Sequence, residues 1–220
     1  MSSIPRRYDN RRRRAGAAAT EQQVIEAAGE CFGEAGYGAT TLAAVAAQAR
    51  VSVETIKKTI GTKPRLLRRW FDQQVAGPEA VVPTEAAWVH RLVDEPDVHR
   101  RIEIAADAVA VVMERTAVAV AVMSAAAQTD PVVAKMWLAE RRERYSDVEK
   151  IASLVVGDTL DPTERGRVVD VSYAITEASL YRTPTEERDW TSGQHRDWFA
   201  EIITGLVDRS PTNTNERKNP

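Results

Sequence analysis

The stretch TTLAAVAAQARVSVETIKKT, Thr40–Thr59, decides the fold. Two short runs of helical spacing flank a three-residue turn, Ala49-Arg50-Val51. In the first run, Thr40 to Gln48, Thr40 stands at the cap, and Leu42, Val45 and Ala46 recur on one face. In the second, Ser52 caps a run to Thr59 in which Val51 and Ile56 fall inward. Val53, Glu54, Thr55, Lys57 and Lys58 are left facing out. Two short helices joined by a tight turn, the second with a polar and cationic outer face, are the parts of a helix-turn-helix. Such a helix enters the major groove, where side chains read base edges and lysines reach phosphates.

The flanking residues extend this unit. Val24, Ala28, Cys31 and Ala35, with Ile25 and Phe32 beside them, predict a first helix from about Thr20 to Ala35, ended by Gly36. Thr62 caps a fourth helix with Pro64 in its first turn. The hydroxyls of Thr40 and Thr41, the amides opening the second and fourth helices, and the charge of Lys63 suit phosphate oxygens. Residues 1–19 form an arm, expected to be disordered, that carries Arg6, Arg7 and Arg11–Arg14. The arm has two readings: a contact with the minor groove or the phosphates, or a solvated tail.

Downstream, Gly77-Pro78 to Pro83 marks a boundary between a domain at 20–76 and a larger one at 84–208, with residues 209–220 as a disordered tail. The larger domain reads as helices throughout. Residues 97–127 carry a seam that includes Ile102, Ala105, Val109, Val112, Thr116, Val120 and Met123. Asp130-Pro131 opens a helix with Leu138, Tyr145, Val148, Ala152 and Val155 on its seam. Asp161-Pro162-Thr163-Glu164 has the form of a capping box and starts a helix to about Arg182. The last helix, from Thr191 to Asp208, carries Trp198/Phe199, Ile202/Ile203 and Leu206/Val207 every four residues. The fold class is therefore all-α.

Charge supports the division. Residues 1–72 contain 13 Lys/Arg and 7 Asp/Glu, whereas residues 73–220 contain 17 and 25. A basic end on an acidic remainder suits a polyanion at that end. The single Cys31 excludes an internal disulfide and a cysteine-based zinc site. The arginines near the N-terminus are followed by no apolar run of the secretory type, and Ile102–Ala127 carries Glu103, Asp107, Glu114 and Arg115, which suit lipid poorly. A cytoplasmic protein is expected. His90, His99 and His195 lack metal-ligand spacing, and no nucleophile elbow or phosphate loop occurs, so neither an enzyme nor a cofactor is expected.

Phe32-Gly33-Glu34-Ala35-Gly36-Tyr37-Gly38-Ala39-Thr40-Thr41, Val45-Ala46, Val51-Ser52-Val53-Glu54-Thr55-Ile56, Gly61-Thr62-Lys63 and Leu66-Leu67 together resemble the N-terminal domain of the TetR (tetracycline-repressor-like) family, over about residues 20–71. Trp190-Thr191-Ser192 followed by Trp198-Phe199-Ala200 resembles the family's dimerising pair more loosely. The resemblance implies a homodimer that binds a palindromic double-stranded DNA operator and is released by a small-molecule effector. The DNA-contacting set is then Thr40, Thr41, Arg50, Ser52, Val53, Glu54, Thr55, Lys57, Lys58 and Lys63. Three positions depart from the family: Lys57 where an aromatic is usual, Ile60 for a Phe, and Arg50 for a Gly. If Arg50 adopts positive φ, the cost is about 1 kcal/mol relative to glycine.

For the larger domain, Trp88, Met113, Met123, Trp137 and Tyr173 are candidates to line a ligand pocket. Glu103, Asp107 and Glu177 can meet a cationic ligand. The dimer is expected from the two last long helices, with Ala174, Ala178 and Tyr181 on one and Trp198, Phe199, Ile202, Ile203 and Leu206 on the other. The alternative is that the apolar stripe closes the protomer's own core. The second functional reading is a helical ligand-binding or interaction protein that no longer reads DNA specifically.

Overall fold

The computed structural model describes residues 6–77 and 83–210, and among them every regular element is helical. The first four helices are α1 (Arg6–Ala39), α2 (Leu42–Gln48), α3 (Val53–Thr59) and α4 (Lys63–Ala76). Then come α5 (Ala87–Asp94), α6 (Val98–Ala127), α7 (Pro131–Val156), α8 (Pro162–Ile175), α9 (Ala178–Arg182) and α10 (Ser192–Asp208). The expected arm is helical from Arg6 onward, which corrects the reading of residues 6–19 as disordered. No proline follows until Pro64, and Ala15 and Ala17–Ala19 favour a helix. The arm's first five residues, the 78–82 break and the tail beyond Ser210 lie outside the described residues.

The chain divides into two compact units, Met1–Gln73 with Val122–Met136, and Gln74–Ala121 with Trp137–Pro220. In the first, Val24, Ala28, Phe32, Val45, Ile56, Leu66, Leu67 and Phe71 are buried. Phe32 stacks at 5.8 Å on Tyr37 and 5.9 Å on Trp70. Gly36 takes φ 74°, the left-handed turn expected of it, although helical hydrogen bonding resumes as far as Ala39. Cys31 is only half-buried and Ala35 is exposed, so the inward face of α1 is narrower than its periodicity suggests. Met123, Ala126 and Val133, at the α6–α7 corner, are buried and belong to this unit rather than to the larger domain.

The second unit has one large core in which Leu92, Ile102, Ala106, Val156, Val168, Phe199, Ile203 and Val207 meet. A smaller cluster joins Met113, Ala117, Ala178 and Tyr181. Helix α6 is long and apolar enough to cross a membrane by length and composition, yet Ile102, Ala106 and Met113 on it are buried in these clusters. The capping box expected of Asp161 with Glu164 forms, and Thr191 with Gln194 forms a second at the start of α10.

Two expectations are corrected here. On α7, Ala152 and Val155 are buried, but Leu138 and Tyr145 are exposed. The Tyr145 ring lies edge-on to Tyr173 at 5.3 Å. The single helix expected from Asp161 to Arg182 breaks at Thr176 and Glu177. In an unbroken helix the Tyr173 carbonyl accepts from the Glu177 amide. Here Arg144 Nη2 donates to that carbonyl at 2.8 Å and to the Thr176 hydroxyl at 2.8 Å. Glu177, its backbone extended, accepts from Arg144 at 2.9 Å and from Arg141 at 3.2 Å. Guanidinium donors thus replace the helical amide and hold the break open.

His195, in the first turn of α10, is fully buried, and neither ring nitrogen has a hydrogen-bond partner among the described residues. Its ring lies edge-on to Tyr181 at 4.9 Å and tilted against Trp198 at 5.5 Å. Burial pushes the imidazole pKa below its ordinary value, because the charged form loses its water. The native state therefore favours neutral His195. Its stability is complete above the unfolded value of about 6.5 and declines as pH falls below it, by up to about 1.4 kcal/mol per pH unit for this one proton. Urea titrations between pH 7.5 and 5 should show that decline in the wild type and a flatter profile in His195→Leu. Equal slopes for the two proteins would assign the decline to other groups.

Candidate nucleic-acid interface

The cap of α2 is Thr41, not Thr40: its hydroxyl accepts from the Ala44 amide at 3.1 Å. Thr40 is 2% exposed, and its hydroxyl donates to the carbonyls of Cys31 (3.0 Å) and Gly36 (2.8 Å). Those carbonyls lie at the Gly36 turn, where helical pairing falters, so Thr40 completes the end of α1 and is withdrawn from any phosphate. Thr41 remains exposed.

Between α2 and α3 the chain turns on Arg50, whose φ is 52°. The turn closes through the Val51 amide on the Ala46 carbonyl at 2.9 Å, with Ala49 buried beneath it. Ser52 caps α3 by accepting from the Thr55 amide at 3.0 Å, and the Ser52 and Thr55 hydroxyls are 2.9 Å apart. Ile56 is fully buried and Ile60 almost so, which fixes the inner face of α3. The outer face presents Glu54, Lys57 and Lys58 exposed, with Val53 and Thr55 half-buried at its edges. Glu54 in the first turn and the lysines in the last both complement the helix dipole. The arrangement is a short cationic rod held by its apolar side.

Lys63 is placed differently from the sequence expectation. Its ammonium donates to the carbonyls of Tyr37 at 2.7 Å and Thr40 at 2.8 Å, and lies 4.1 Å from the centre of the Tyr37 ring. Loss of water around it holds the amine pKa below the ordinary value. Tyr37 in turn donates its hydroxyl to Asp130 Oδ2 at 2.7 Å. Burial and this bond push the phenol pKa up, and the same bond holds the Asp130 carboxyl below the usual range. Asp130 Oδ1 meanwhile caps α7, accepting from the Val132 and Val133 amides at 2.9 and 3.3 Å. Tyr37 and Asp130 are a pair that sequence reasoning missed, and they support the turn beside the helix-turn-helix. They stand 93 residues apart, and no local pattern joins them.

The other expected sites are more scattered. Of the pocket candidates, Trp88 packs on the large core and Met113 sits in the smaller cluster, while Met123 belongs to the first unit. Arg141 stacks on both Trp137 and Tyr173. Glu103 and Asp107, considered for a cationic ligand, accept from Arg196, with Asp107 at 2.8 Å. A polar groove of about 440 Å³ opens beside them, lined by Arg196, Asp197, Ala200, Glu201, Thr204 and others, and shares no residue with the expected pocket. Of the dimer candidates, Phe199, Ile203, Ala178 and Tyr181 are buried within the protomer's own clusters. Trp198, Ile202 and Leu206 are half-buried and Ala174 is exposed.

Residues 24–67, which include this capped helix pair, match the family of bacterial regulatory proteins, tetR family. That stretch of the chain is similar to the N-terminal domain of the family. The chain also shares its fold with a crystal structure of a HlyIIR mutant protein carrying a GSSGSSG linker. The TM-score is 0.64 at 13% identity, and the match covers 89% of this chain and 99% of that one. Among curated proteins, none matches the chain. The matched stretch includes the helix-turn-helix of α2 and α3.

Two substitutions test the site's internal construction. Lys63→Ala should lower thermal stability and operator affinity while leaving the salt dependence of binding unchanged, because no phosphate contact is lost. A slope shallower by about 0.9 would instead return Lys63 to the phosphate backbone. Arg50→Gly should raise unfolding free energy by about 1 kcal/mol, since glycine adopts positive φ without the Cβ clash. An unchanged urea midpoint would show that Arg50 carries no strain.

Proposed function

We propose that this chain is a TetR-family regulator, a cytoplasmic homodimeric repressor that binds a palindromic operator and is released by a small apolar or amphipathic effector. The observation that carries the DNA half of this reading is α3, anchored inward by Ile56 and open outward at Glu54, Lys57 and Lys58. An anchored helix presents its outer side chains in one register, as reading base edges requires. Thr55, its hydroxyl near Ser52, and Glu54 lie toward the N-terminal end of the helix, where base contacts concentrate in helix-turn-helix proteins. Lys57 and Lys58 sit a turn later and suit phosphates.

The dimer is proposed from α8 and α10, narrowed to the side chains that the protomer leaves accessible. Ala174 on α8 and the outer edges of Trp198, Ile202 and Leu206 on α10 form a small-beside-large surface, suited to close helix packing across a two-fold axis. Two recognition helices then address half-sites about 34–36 Å apart. An effector that binds one arrangement of the protomers better than the other shifts that spacing and so releases the DNA.

The test begins with selection of a duplex from random sequence by the purified protein. A palindrome with half-sites one helical turn or a multiple apart is expected; enrichment of no sequence would leave a helical protein without specific DNA reading. On the selected duplex, Lys57→Ala should weaken binding to all sequences alike and reduce the salt slope by about 0.9. Thr55→Val should change base preference at one position per half-site. In sedimentation, Ala174→Arg should give a folded monomer with lost operator affinity, and a persistent dimer would move the interface elsewhere.

A further inference from the structure

Helix α1 is one continuous helix from Arg6, departing from helical geometry only at Gly36. From Ala15 on, however, its buried positions begin only at Val24, and Ala15 to Ala19 are all exposed. A side chain built at Gly16 would meet nothing within 4 Å. The ion pair of Glu21 with Arg69, at 3.5 Å, lies just before the packed stretch begins. Beyond this exposed stretch the helix runs back to Arg6, so that Arg6–Ala19 is fourteen residues long, about 21 Å at the helical rise.

This extension is costly in isolation. Residues 6–14 hold six arginines and one acid, Asp9. Like charges fall at helical neighbour spacing, as in Arg7/Arg11 and Arg11/Arg14, and each such pair opposes the helix by a few tenths of a kcal/mol. A helix of this length without packing is marginal in water. A polyanion removes the repulsion. The extension is continuous with the unit that carries the helix-turn-helix, so the polyanion closest to hand is the duplex beside the operator.

We propose that the Arg6–Arg14 helix is a second DNA-contacting element that lies along the phosphates of the duplex flanking the operator. The inference rests on the DNA reading above and adds to it a sequence-independent contact. Helical form decides between the two placements that the sequence leaves open. A minor groove about 6 Å wide admits an extended arm but not a helix about 10–12 Å across. The contact is therefore with backbone phosphates, and its reach of about 21 Å corresponds to about six base pairs at 3.4 Å each. A membrane surface fits less well, since Tyr8 is the only large apolar side chain among residues 6–14.

The full chain and a chain lacking residues 1–14 are compared on the selected operator, once with 12-base-pair flanks and once trimmed to the half-sites. The full chain should lose roughly 30-fold or more in affinity on trimming at 0.1 M salt. The truncated chain should bind both duplexes alike, at the level of the full chain on trimmed DNA. Its salt slope should be shallower by about 0.9 for each phosphate released, with an unchanged thermal midpoint. Netropsin, which fills the minor groove of the flanks, should leave the full chain's affinity unchanged. Equal affinity and slope for the two chains on flanked DNA would overturn the proposal while the operator reading stands. So would affinity lost on truncation but insensitive to flanks, or competition by netropsin. Retention by vesicles of 30% anionic lipid, with no effect of flanks, would give the helix to a membrane and overturn it as well. If neither chain enriched any duplex, the operator reading itself would fall, and this inference with it.

Discussion

Lys63 brings one ammonium to two main-chain oxygens, those of Tyr37 and Thr40, in the turn where α1 gives way to α2. A helix that ends inside a protein leaves carbonyls without partners, and the Gly36 turn adds to them by breaking the helical ladder early. Three side chains answer this deficit. Thr40 takes the carbonyls of Cys31 and Gly36, Lys63 takes the next pair, and the Tyr37 ring covers the ammonium. Because Lys63 also opens α4, the first turn of that helix is fixed to the last turn of α1. The path into the helix-turn-helix is thereby set by polar satisfaction as much as by the apolar core beneath it.

Asp130 extends the same construction to the α6–α7 corner. Its two oxygens are divided, one for the amides that open α7 and the other for the Tyr37 hydroxyl. The division explains why Val122–Met136 belongs to the compact unit of the DNA-binding helices despite its distance in sequence. A segment that sequence alone assigns to the larger domain becomes a part of the smaller one.

What the sequence made legible was local. The helix pair, the Ser52 cap, the Asp161 capping box and the left-handed turn at Gly36 each depend on residues within a few positions of one another, and each was readable. The positive φ at Arg50 was anticipated from the glycine usual at that place. Thr40 and Thr41 are adjacent hydroxyls, and only the carbonyls of the preceding helix decide which one caps. Lys63 beside a helix N-terminus looks like a phosphate ligand until its acceptors, 23 and 26 residues earlier, are known. Leu138 and Tyr145 matched a helical seam, but the inward positions near them are used by Arg141 and Arg144, whose partner is Glu177. The apolar pairs of α10 divide between core and surface because one helix face is wider than the neighbour that covers it, and periodicity does not say where cover ends.

The break between α8 and α9 has a consequence best expressed as phase. Side chains advance about 100° per residue around a helix. From Val168, buried on α8, thirteen further positions of unbroken helix would bring Tyr181 round by about 220°, onto the side away from the core. Interruption at Thr176 and Glu177 resets that angle, and Tyr181 arrives buried beside Met113 and against the His195 ring. Arg144 thus acts as a clutch between two rotations of one segment: engaged, it disconnects them, and the aromatic contacts of α10 depend on the slip.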